Sequence, residues 1–396
     1  MKKTTLASLI GAAAFAVAGA ANATIVVGGE NGYEFSVDGN INQFFIHTDS
    51  DNPGMGDQKN SQVANGLLPT FFGFNVSAPE VNGLKVAARV SISPSTNDGS
   101  YFGGALNQGS GAMEQREAFA TVDGSFGQVM LGKGLGLYSA NNILLDQTLF
   151  GVGATGLAAG GAQNSAVTTL GRIGWGYEYA NWRSQIKWTS NDMGGFKVAV
   201  AVLDADDYEN SIYGRGIEEK DPRYEASISY AGAFDGGSMK LWLDGMSQKV
   251  EYVGTDDRSH AWTLGGQLVL GGFEAVAAYY DSEGQGLAGL GLGAFDANGD
   301  AREGDGYYAQ LGYRFGGQTF LAASYGESTL DNAGAATISD GFGNLDKNSM
   351  FTVGVYHDVT SNLKLVAEYS KMETEFHDTS AEPETDVIAI GGFISW

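Results

Sequence analysis

The sequence predicts an all-β protein in which about sixteen strands form an up-and-down antiparallel barrel across a membrane. Three observations predict this fold. About sixteen segments alternate between apolar and polar residues, the connections between them are alternately short and long, and the N-terminus is typical of exported proteins. The composition agrees, with 60 Gly, 6 Pro, 18 Tyr and 21 Phe.

Residues 1–23 are interpreted as a secretory signal peptide. Two lysines precede an alanine-rich apolar run, which ends in Ala21-Asn22-Ala23. This order matches a charged region, a hydrophobic region and a small-residue cleavage site. The run lacks large hydrophobic residues, so an uncleaved membrane anchor is the less favoured alternative. We expect cleavage before Thr24 and export through the periplasm, which leaves 24–396 as the barrel domain.

The strands are predicted from alternation with a period of two, which places polar residues on one face and apolar residues on the other. The pattern is clearest in 84–93, 223–230, 307–315 and 362–370, and no stripe with a helical period is present. The predicted strands are 33–46, 69–78, 84–93, 114–122, 127–133, 182–190, 196–204, 222–231, 238–249, 259–270, 273–281, 306–315, 318–327, 348–357, 362–374 and 386–396.

The connections predict one end with tight turns and one end with long loops. The tight turns are 79–83, 123–127, 190–195, 233–237, 271–272, 316–317 and 358–362. The longer connections, rich in Gly, Asn, Ser and acidic residues, are 49–66, 94–112, 134–180, 205–221, 251–258, 283–304, 329–347 and 377–385. This rhythm is that of an up-and-down meander.

Closure of the sheet follows from the membrane. An open edge in lipid would leave backbone groups unpaired, at a cost of several kcal/mol each. The last strand should therefore pair with the first. In "VIAIGGFISW" (387–396), Ile388, Ile390, Ile394 and Trp396 share one face, which we expect to contact lipid, with the indole at the membrane boundary.

The charge and cysteine content exclude several classes of function. Without the signal peptide the chain has 46 acidic and 20 basic residues, a net charge of −26. Such a chain lacks the basic footprint that nucleic-acid binding requires. With no Cys, it has no disulfide framework and no thiolate metal site.

Four stretches resemble the general outer-membrane porins of Gram-negative bacteria, a family of trimeric sixteen-stranded channels. They are "GYEFSVDGNINQFF" (32–45), "REAFATVDGSFGQVMLGKG" (116–134), "RSQIKWTSNDMGGFKVAVAV" (183–202) and the terminal aromatic residue. The resemblance implies an outer-membrane homotrimer among lipid and lipopolysaccharide. It also implies that Ile394 and Trp396 form the signal read by the barrel-assembly machinery.

The resemblance further implies that the third long loop, 134–180, folds into the lumen and narrows it. In the family this loop carries acidic residues that face arginines across the pore. Here residues 134–171 contain one charged residue, Asp146, and Glu178 is a second candidate acid. We therefore expect a weaker transverse field than in the family.

The opposite side of the predicted constriction is basic. Arg116 matches an inward arginine of the family, while Arg89, Arg183 and Lys187 lie on the polar faces of their strands. The constriction is thus predicted between Asp146 and Arg89, Arg116, Arg183 and Lys187. The alternative is that these basic residues pair with nearby carboxylates and only stiffen the wall.

One loop carries a weak calcium motif. Asp296, Asn298 and Asp300 have the spacing that begins a calcium-binding loop, but Ala301 and Tyr307 occupy positions that normally hold Gly and Glu. A surface Ca²⁺ site is one interpretation, and a solvated loop is the other. The scattered histidines predict no other metal site. No cofactor or catalytic motif is expected, so the chain is predicted not to be an enzyme.

The sequence thus predicts a water-filled channel for passive diffusion of small hydrophilic solutes and ions. The acidic excess favours a weak preference for cations. Two alternatives remain: a channel specific for a sugar, phosphate or small acid, and a structural or adhesive barrel with a plugged lumen.

Overall fold

The computed structural model describes residues 24–53, 56–96, 113–160, 168–205, 217–218, 221–252, 255–296, 300–334 and 344–396. Within these residues, sixteen strands form a ring. In chain order they are β1 Glu34–Asp51, β2 Phe71–Ser77, β3 Lys85–Pro94, β4 Ala118–Gly124, β5 Gly127–Leu135, β6 Trp182–Thr189, β7 Phe196–Leu203, β8 Arg223–Phe234, β9 Gly237–Tyr252, β10 Thr255–Leu270, β11 Phe273–Glu283, β12 Glu303–Phe315, β13 Thr319–Leu330, β14 Leu345–Thr360, β15 Leu363–Phe376 and β16 Glu384–Ser395.

Each of these strands is antiparallel to its neighbours in the ring. The sheet closes at β1, which pairs with β2 through Glu34–Asn40 and with β16 through Asn40–Asp51. Trp396 extends the closing seam, because its backbone exchanges hydrogen bonds with that of Gly39. The predicted closed antiparallel barrel of sixteen strands is confirmed. It leaves no open edge in the ring, as a sheet in lipid requires.

Among the described residues, four short strands lie beside the ring: Ile25–Gly28, Gln58–Ala64, Met113–Glu114 and Ile217–Glu218. Two predicted loops are corrected. Residues 58–64, assigned to a loop, pair with 44–50 of β1. Residues 251–258 mostly extend the hairpin of β9 and β10, in which Tyr252 pairs with Thr255. The prediction relied on alternation of apolar and polar residues, and the residues at these positions are mostly polar. Their strands were missed because backbone pairing does not require an apolar face.

The outer face of the barrel is apolar, as the alternation predicts. Large hydrophobic side chains such as Ile186, Leu311 and Ile390 are about 60% exposed, while inward neighbours such as Gln185, Gln310 and Ala389 are buried. A soluble protein would cover such a surface. This face is the one that contacts lipid.

Aromatic side chains form two rows on the outer face. One row, near the short turns, consists of Phe196, Tyr230, Phe234, Phe273, Tyr313 and Phe315. The other consists of Trp262, Tyr279, Tyr307, Tyr325, Phe351 and Tyr369. Tyr307 and Phe315 are eight residues apart on β12, or roughly 27 Å along a strand. This matches the apolar band, about 25 Å tall, that lies between aromatic girdles in transmembrane barrels.

The segment 136–180 lies between β5 and β6, and its described part contains two helical turns that the sequence did not predict. These are α1, Ala140–Leu145, and a 3₁₀ turn, Gln147–Phe150. Much of the segment is buried, including Ile143, Val152 and Trp175. Among the described residues, no helix has the length and apolar character needed to cross a membrane.

Candidate functional site: the inner face of the barrel

The 136–180 segment is hydrogen-bonded to one side of the inner face, from β8 round to β16. Its contacts fall on side chains of inward parity, which the strand pattern places opposite the lipid-facing rows. The wall residues that bond to it include Glu225, Thr263, Gln310, Ser324, Ser328, Asn348, Glu368, Thr374 and Thr385. The segment is therefore fastened to about half of the wall.

Glu368 of β15 is the first of two buried carboxylates that hold this segment. The backbone N–H groups of Val152 and Gly153 donate to its Oε2 at 2.6 and 3.1 Å, and the Tyr356 hydroxyl donates to its Oε1. Gly151 makes this approach possible, because a Cβ there would lie 1.9 Å from Glu368 Oε1. The carboxylate thus fixes the backbone just after the 3₁₀ turn.

Glu225 of β8 holds the start of the segment. The N–H groups of Leu137 and Tyr138 donate to its Oε2 at 2.6 and 3.1 Å, and Arg223 Nε donates to its Oε1 at 2.7 Å. Hydrogen bonds to a charged acceptor contribute more than neutral ones. The positive charge of Arg223 neutralises the carboxylate of Glu225, and the two amides donate further hydrogen bonds to it.

Asp146 is held within the segment itself. It is 3% exposed, its Oδ1 accepts from the Thr148 N–H at 3.0 Å and its Oδ2 accepts from the hydroxyls of Thr148 and Tyr177, the latter at 2.8 Å. Asp146 therefore caps the 3₁₀ turn. Burial raises the pKa of the Tyr177 phenol well above its usual range, and the Asp146 charge adds to this effect.

Arg172, in the second half of the same segment, is buried as well. Its Nη1 donates to the Met350 carbonyl at 2.9 Å and its Nη2 donates to Ser324 Oγ at 2.5 Å. Burial lowers the pKa of Arg172, while the charge of Asp146 opposes that change. The one acid of the segment's first half is thus balanced by an arginine of its second half, which sequence spacing did not indicate.

Arg89 and Arg116 lie on the other side of the barrel, around β3 and β4. Arg89 forms ion pairs with Asp38 and Glu117, each at 2.7 Å. Arg116 lies 3.2 Å from Glu114. These contacts agree with the alternative in which the arginines stiffen the wall. A role of these residues in a constriction opposite Asp146 stays a prediction.

Arg183 and Lys187 share the inward parity of β6, as predicted. Arg183 is buried, whereas Lys187 is half-buried and lines a cavity of about 510 Å³ between β4–β9 and the 136–180 segment. Two further lysines that the sequence reasoning missed, Lys197 of β7 and Lys240 of β9, line the same cavity. Both lysines are basic residues of inward parity, which are the two sequence features that identify them.

The predicted calcium motif is described only in part. The Asp300 N–H donates to Asp296 Oδ1 at 2.9 Å, and Asn298 lies outside the described residues. Within the described ranges, no group of three or more His, Cys, Asp and Glu residues could hold a metal ion. The calcium site stays a prediction.

A comparison with known protein families identifies the family of this chain. A model of the Gram-negative porin family matches residues 7–377. The chain belongs to the Gram-negative porins. Membership and the barrel together imply residence in the outer membrane. No curated protein matches the sequence.

Solved structures with the same fold are distant in sequence. The outer membrane channel DcaP of Acinetobacter baumannii has a TM-score of 0.67 at 13% identity, covering 93% of this chain and 99% of that one. The anion-selective porin of Comamonas acidovorans has a TM-score of 0.62 at 15% identity, covering 92% and 100%. OmpT of Vibrio cholerae has a TM-score of 0.59 at 14% identity, covering 94% and 100%. At such identities the likeness concerns the fold.

Proposed function

We propose that this porin is a non-enzymatic pore for passive diffusion of small hydrophilic solutes and ions across the outer membrane. One observation carries the proposal. A cavity of about 510 Å³, lined by polar, charged and apolar side chains, remains between the ordered 136–180 segment and the wall of β4–β9. Polar and charged side chains on this inner face favour water, while the outer row favours lipid.

We infer that the 136–180 segment narrows the channel and sets its size limit. Its hydrogen bonds to β8–β16 support this role, because they hold it against one side of the inner face. Solutes then pass through the cavity that remains between the segment and the wall of β4–β9. A long connection with its own helical turns inside a compact fold is usually functional.

We propose that the channel prefers cations weakly. The net charge of −26, without residues 1–23, creates a negative potential that raises the concentration of cations near the pore. The three lysines of the cavity oppose that potential locally. Because the acidic field outside the pore and the basic field inside it oppose each other, we expect the preference for cations to be small.

The assembly follows the family. We propose a homotrimer, which is supported by the fold likeness to a trimer form of V. cholerae OmpT with a TM-score of 0.51. Lipopolysaccharide would contact the outer rim, with Ca²⁺ at Asp296, Asn298 and Asp300 as a candidate bridge. Residues 1–23 would be removed during export, and Ile394 and Trp396 would be read by the barrel-assembly machinery.

Planar-bilayer recording tests the pore directly. Purified protein should give ohmic conductance steps, and a KCl gradient should give a small reversal potential of the sign expected for cations. An absence of steps from correctly folded protein would favour the plugged structural or adhesive barrel. A reversal potential of the opposite sign would overturn the selectivity but not the pore.

A substrate-specific channel is the second candidate, and the lysine-lined cavity is the observation in its favour. Block of single-channel current by micromolar to millimolar solute distinguishes it from a general pore. A general pore would pass such solutes without saturation.

A further inference from the structure

We propose that the cavity bearing Lys187, Lys197 and Lys240 is a binding site for small organic acids that carry a carboxylate on an apolar body. The inference rests on the proposed function, because the solute must enter through the lumen. It assigns to the channel a chemical class of solute and to three lysines a role in binding it.

The three lysines reach the cavity from neighbouring strands. Lys197 is opposite Ser229 in the pairing of β7 with β8, and Lys240 is opposite Ala231 in the pairing of β8 with β9. Two strand spacings, about 10 Å, therefore separate the backbones that carry Lys197 and Lys240. Both side chains line the same cavity, where their like charges repel each other. An anion placed between them relieves that repulsion.

Lys187 lies farther from the short turns than the other two. It is opposite Ala201 of β7, four residues along that strand from Lys197. The spacing corresponds to roughly 13 Å along the strand. Lys187 therefore extends the basic surface along the cavity and gives an entering anion a second cation to approach.

The ammonium groups are free to receive an anion, whereas the nearby carboxylates are engaged. In the described part of the chain, none of the three lysines forms an ion pair within 4.0 Å. The nearby acids are Glu225, which like Lys187 is opposite Ala201, and Asp244, which is four residues from Lys240 on β9. Both acids have closer partners, since Arg223 and two backbone amides bond Glu225 while Ser227 donates to Asp244 at 2.6 Å.

Two further carboxylates line the cavity and are also occupied. Gln128 Nε2 donates to Asp123 at 2.8 Å, and the Gly195 N–H donates to Asp192 at 3.1 Å. Each carboxylate therefore already accepts a hydrogen bond from a residue of its own hairpin. The positively charged donors in the lining of this cavity are the three ammonium groups, and a carboxylate forms its stronger hydrogen bonds with charged donors.

The opposite lining selects for an apolar body. Leu137, Ala140 and Leu144 of the 136–180 segment face the cavity. Hydroxyl groups of Ser229 and Thr189 lie on the lysine side. An acid with a compact hydrocarbon part can thus place its charge on the lysines and its carbon atoms against the segment. Inorganic phosphate has no apolar part, so it interacts only with the lysine side of the cavity.

The position of the segment directs solutes to this site. The cavity lies between the segment and the wall of β4–β9, and Lys187, Lys197 and Lys240 line it on the wall side. A solute that diffuses through the channel therefore meets them.

Single-channel recording with benzoate as the probe tests the site. Benzoate should reduce the wild-type current in a saturable manner, and uncharged benzyl alcohol should not. In the variant K187Q/K197Q/K240Q, the benzoate concentration for half block should rise at least tenfold. Arginine at the same three positions should restore the block, which separates charge from packing.

The matched control is K59Q/K347Q/K371Q. It removes the same total charge from lysines that are paired with Asp49, Glu375 and Glu373 at 2.5, 2.5 and 2.9 Å, and it should keep the wild-type block. Equal benzoate block in the cavity variant and the wild type would overturn the site. Stronger block by inorganic phosphate than by benzoate would overturn the solute class. If the wild type formed no pore, the proposed function itself would fail, which is a distinct outcome.

Discussion

At the scale of single residues, Glu368 is a side chain that holds the 136–180 segment to the wall. Its carboxylate accepts from two amides of the 136–180 segment and from a tyrosine hydroxyl. Replacement by alanine leaves the Val152 and Gly153 amides without an acceptor, at about 1–3 kcal/mol for each buried group. We expect Glu368→Ala to lower the free energy of unfolding and to increase open-channel current noise, measured by urea unfolding in vesicles and by bilayer recording.

Glu373→Ala is the control for this prediction. Glu373 lies on the same strand, but it is half-exposed and pairs with Lys371, so its removal should cost less than about 1 kcal/mol. Equal effects of the two substitutions would show that Glu368 does not hold the segment. Glu368→Gln should lie between them, because the amide keeps one acceptor oxygen.

The face of the barrel wall on which a residue lies was predictable from the sequence, but the residues that it contacts were not. Alternation placed Arg183 and Lys187 on the inner face correctly. It could not reveal that Asp146 would find Tyr177 and Arg172, because those contacts depend on how the segment turns back on itself. The bonding of Arg89 to Asp38, 51 residues away, depends on the closure of the ring in the same manner.

At the scale of elements, sequence prediction succeeded where one strand face meets lipid. The strands whose outward residues are apolar were found within a few positions. Residues 58–64 were missed, because above the membrane both faces of a strand meet water and the alternation disappears. Helix α1 was missed because six residues are too few to establish a helical period.

The 136–180 segment should respond to alkaline pH. Burial raises the pKa of both Tyr138 and Tyr177, whose hydroxyls donate to Glu178 and Asp146. Because the folded pKa lies above the unfolded value of about 10, the phenols stabilise the packed segment fully below pH ~10. That contribution is lost as the pH rises through the folded value. Near-ultraviolet circular dichroism should show an alkaline transition in the wild type.

The double variant Y138F/Y177F separates this effect from general alkaline unfolding. It lacks the ionising phenols, so its transition should move to higher pH, while its stability at pH 7 falls by about 1 kcal/mol per lost hydrogen bond. Tyr33→Phe is the control, since Tyr33 is exposed and should change neither quantity. Identical alkaline transitions in the double variant and the wild type would contradict the prediction.

At the scale of the whole molecule, the wall separates two solvents, and adjacent residues of one strand should tolerate charge differently. Ile228 of β8 is exposed on the outer face, and Ser229 is directed to the cavity. We expect Ile228→Arg to destabilise the barrel by about 2–4 kcal/mol, as a cation does at mid-bilayer. Ser229→Arg should cost under about 1 kcal/mol. Urea unfolding in lipid vesicles measures both, and equal costs would contradict the assignment of faces.

Ion selectivity should depend on salt, because the charges that set it lie at different places. Solvated acidic residues act on permeating ions across water, and their field is screened over about 8 Å at 0.15 M salt but over about 30 Å at 0.01 M. The cavity lysines act at close range and are screened less. Cation preference should therefore grow as salt is diluted, measured as the reversal potential at a fixed KCl ratio. The variant K187Q/K197Q/K240Q should prefer cations more strongly than the wild type at every salt concentration. A preference that is constant on dilution would mean that the close-range charges alone set selectivity.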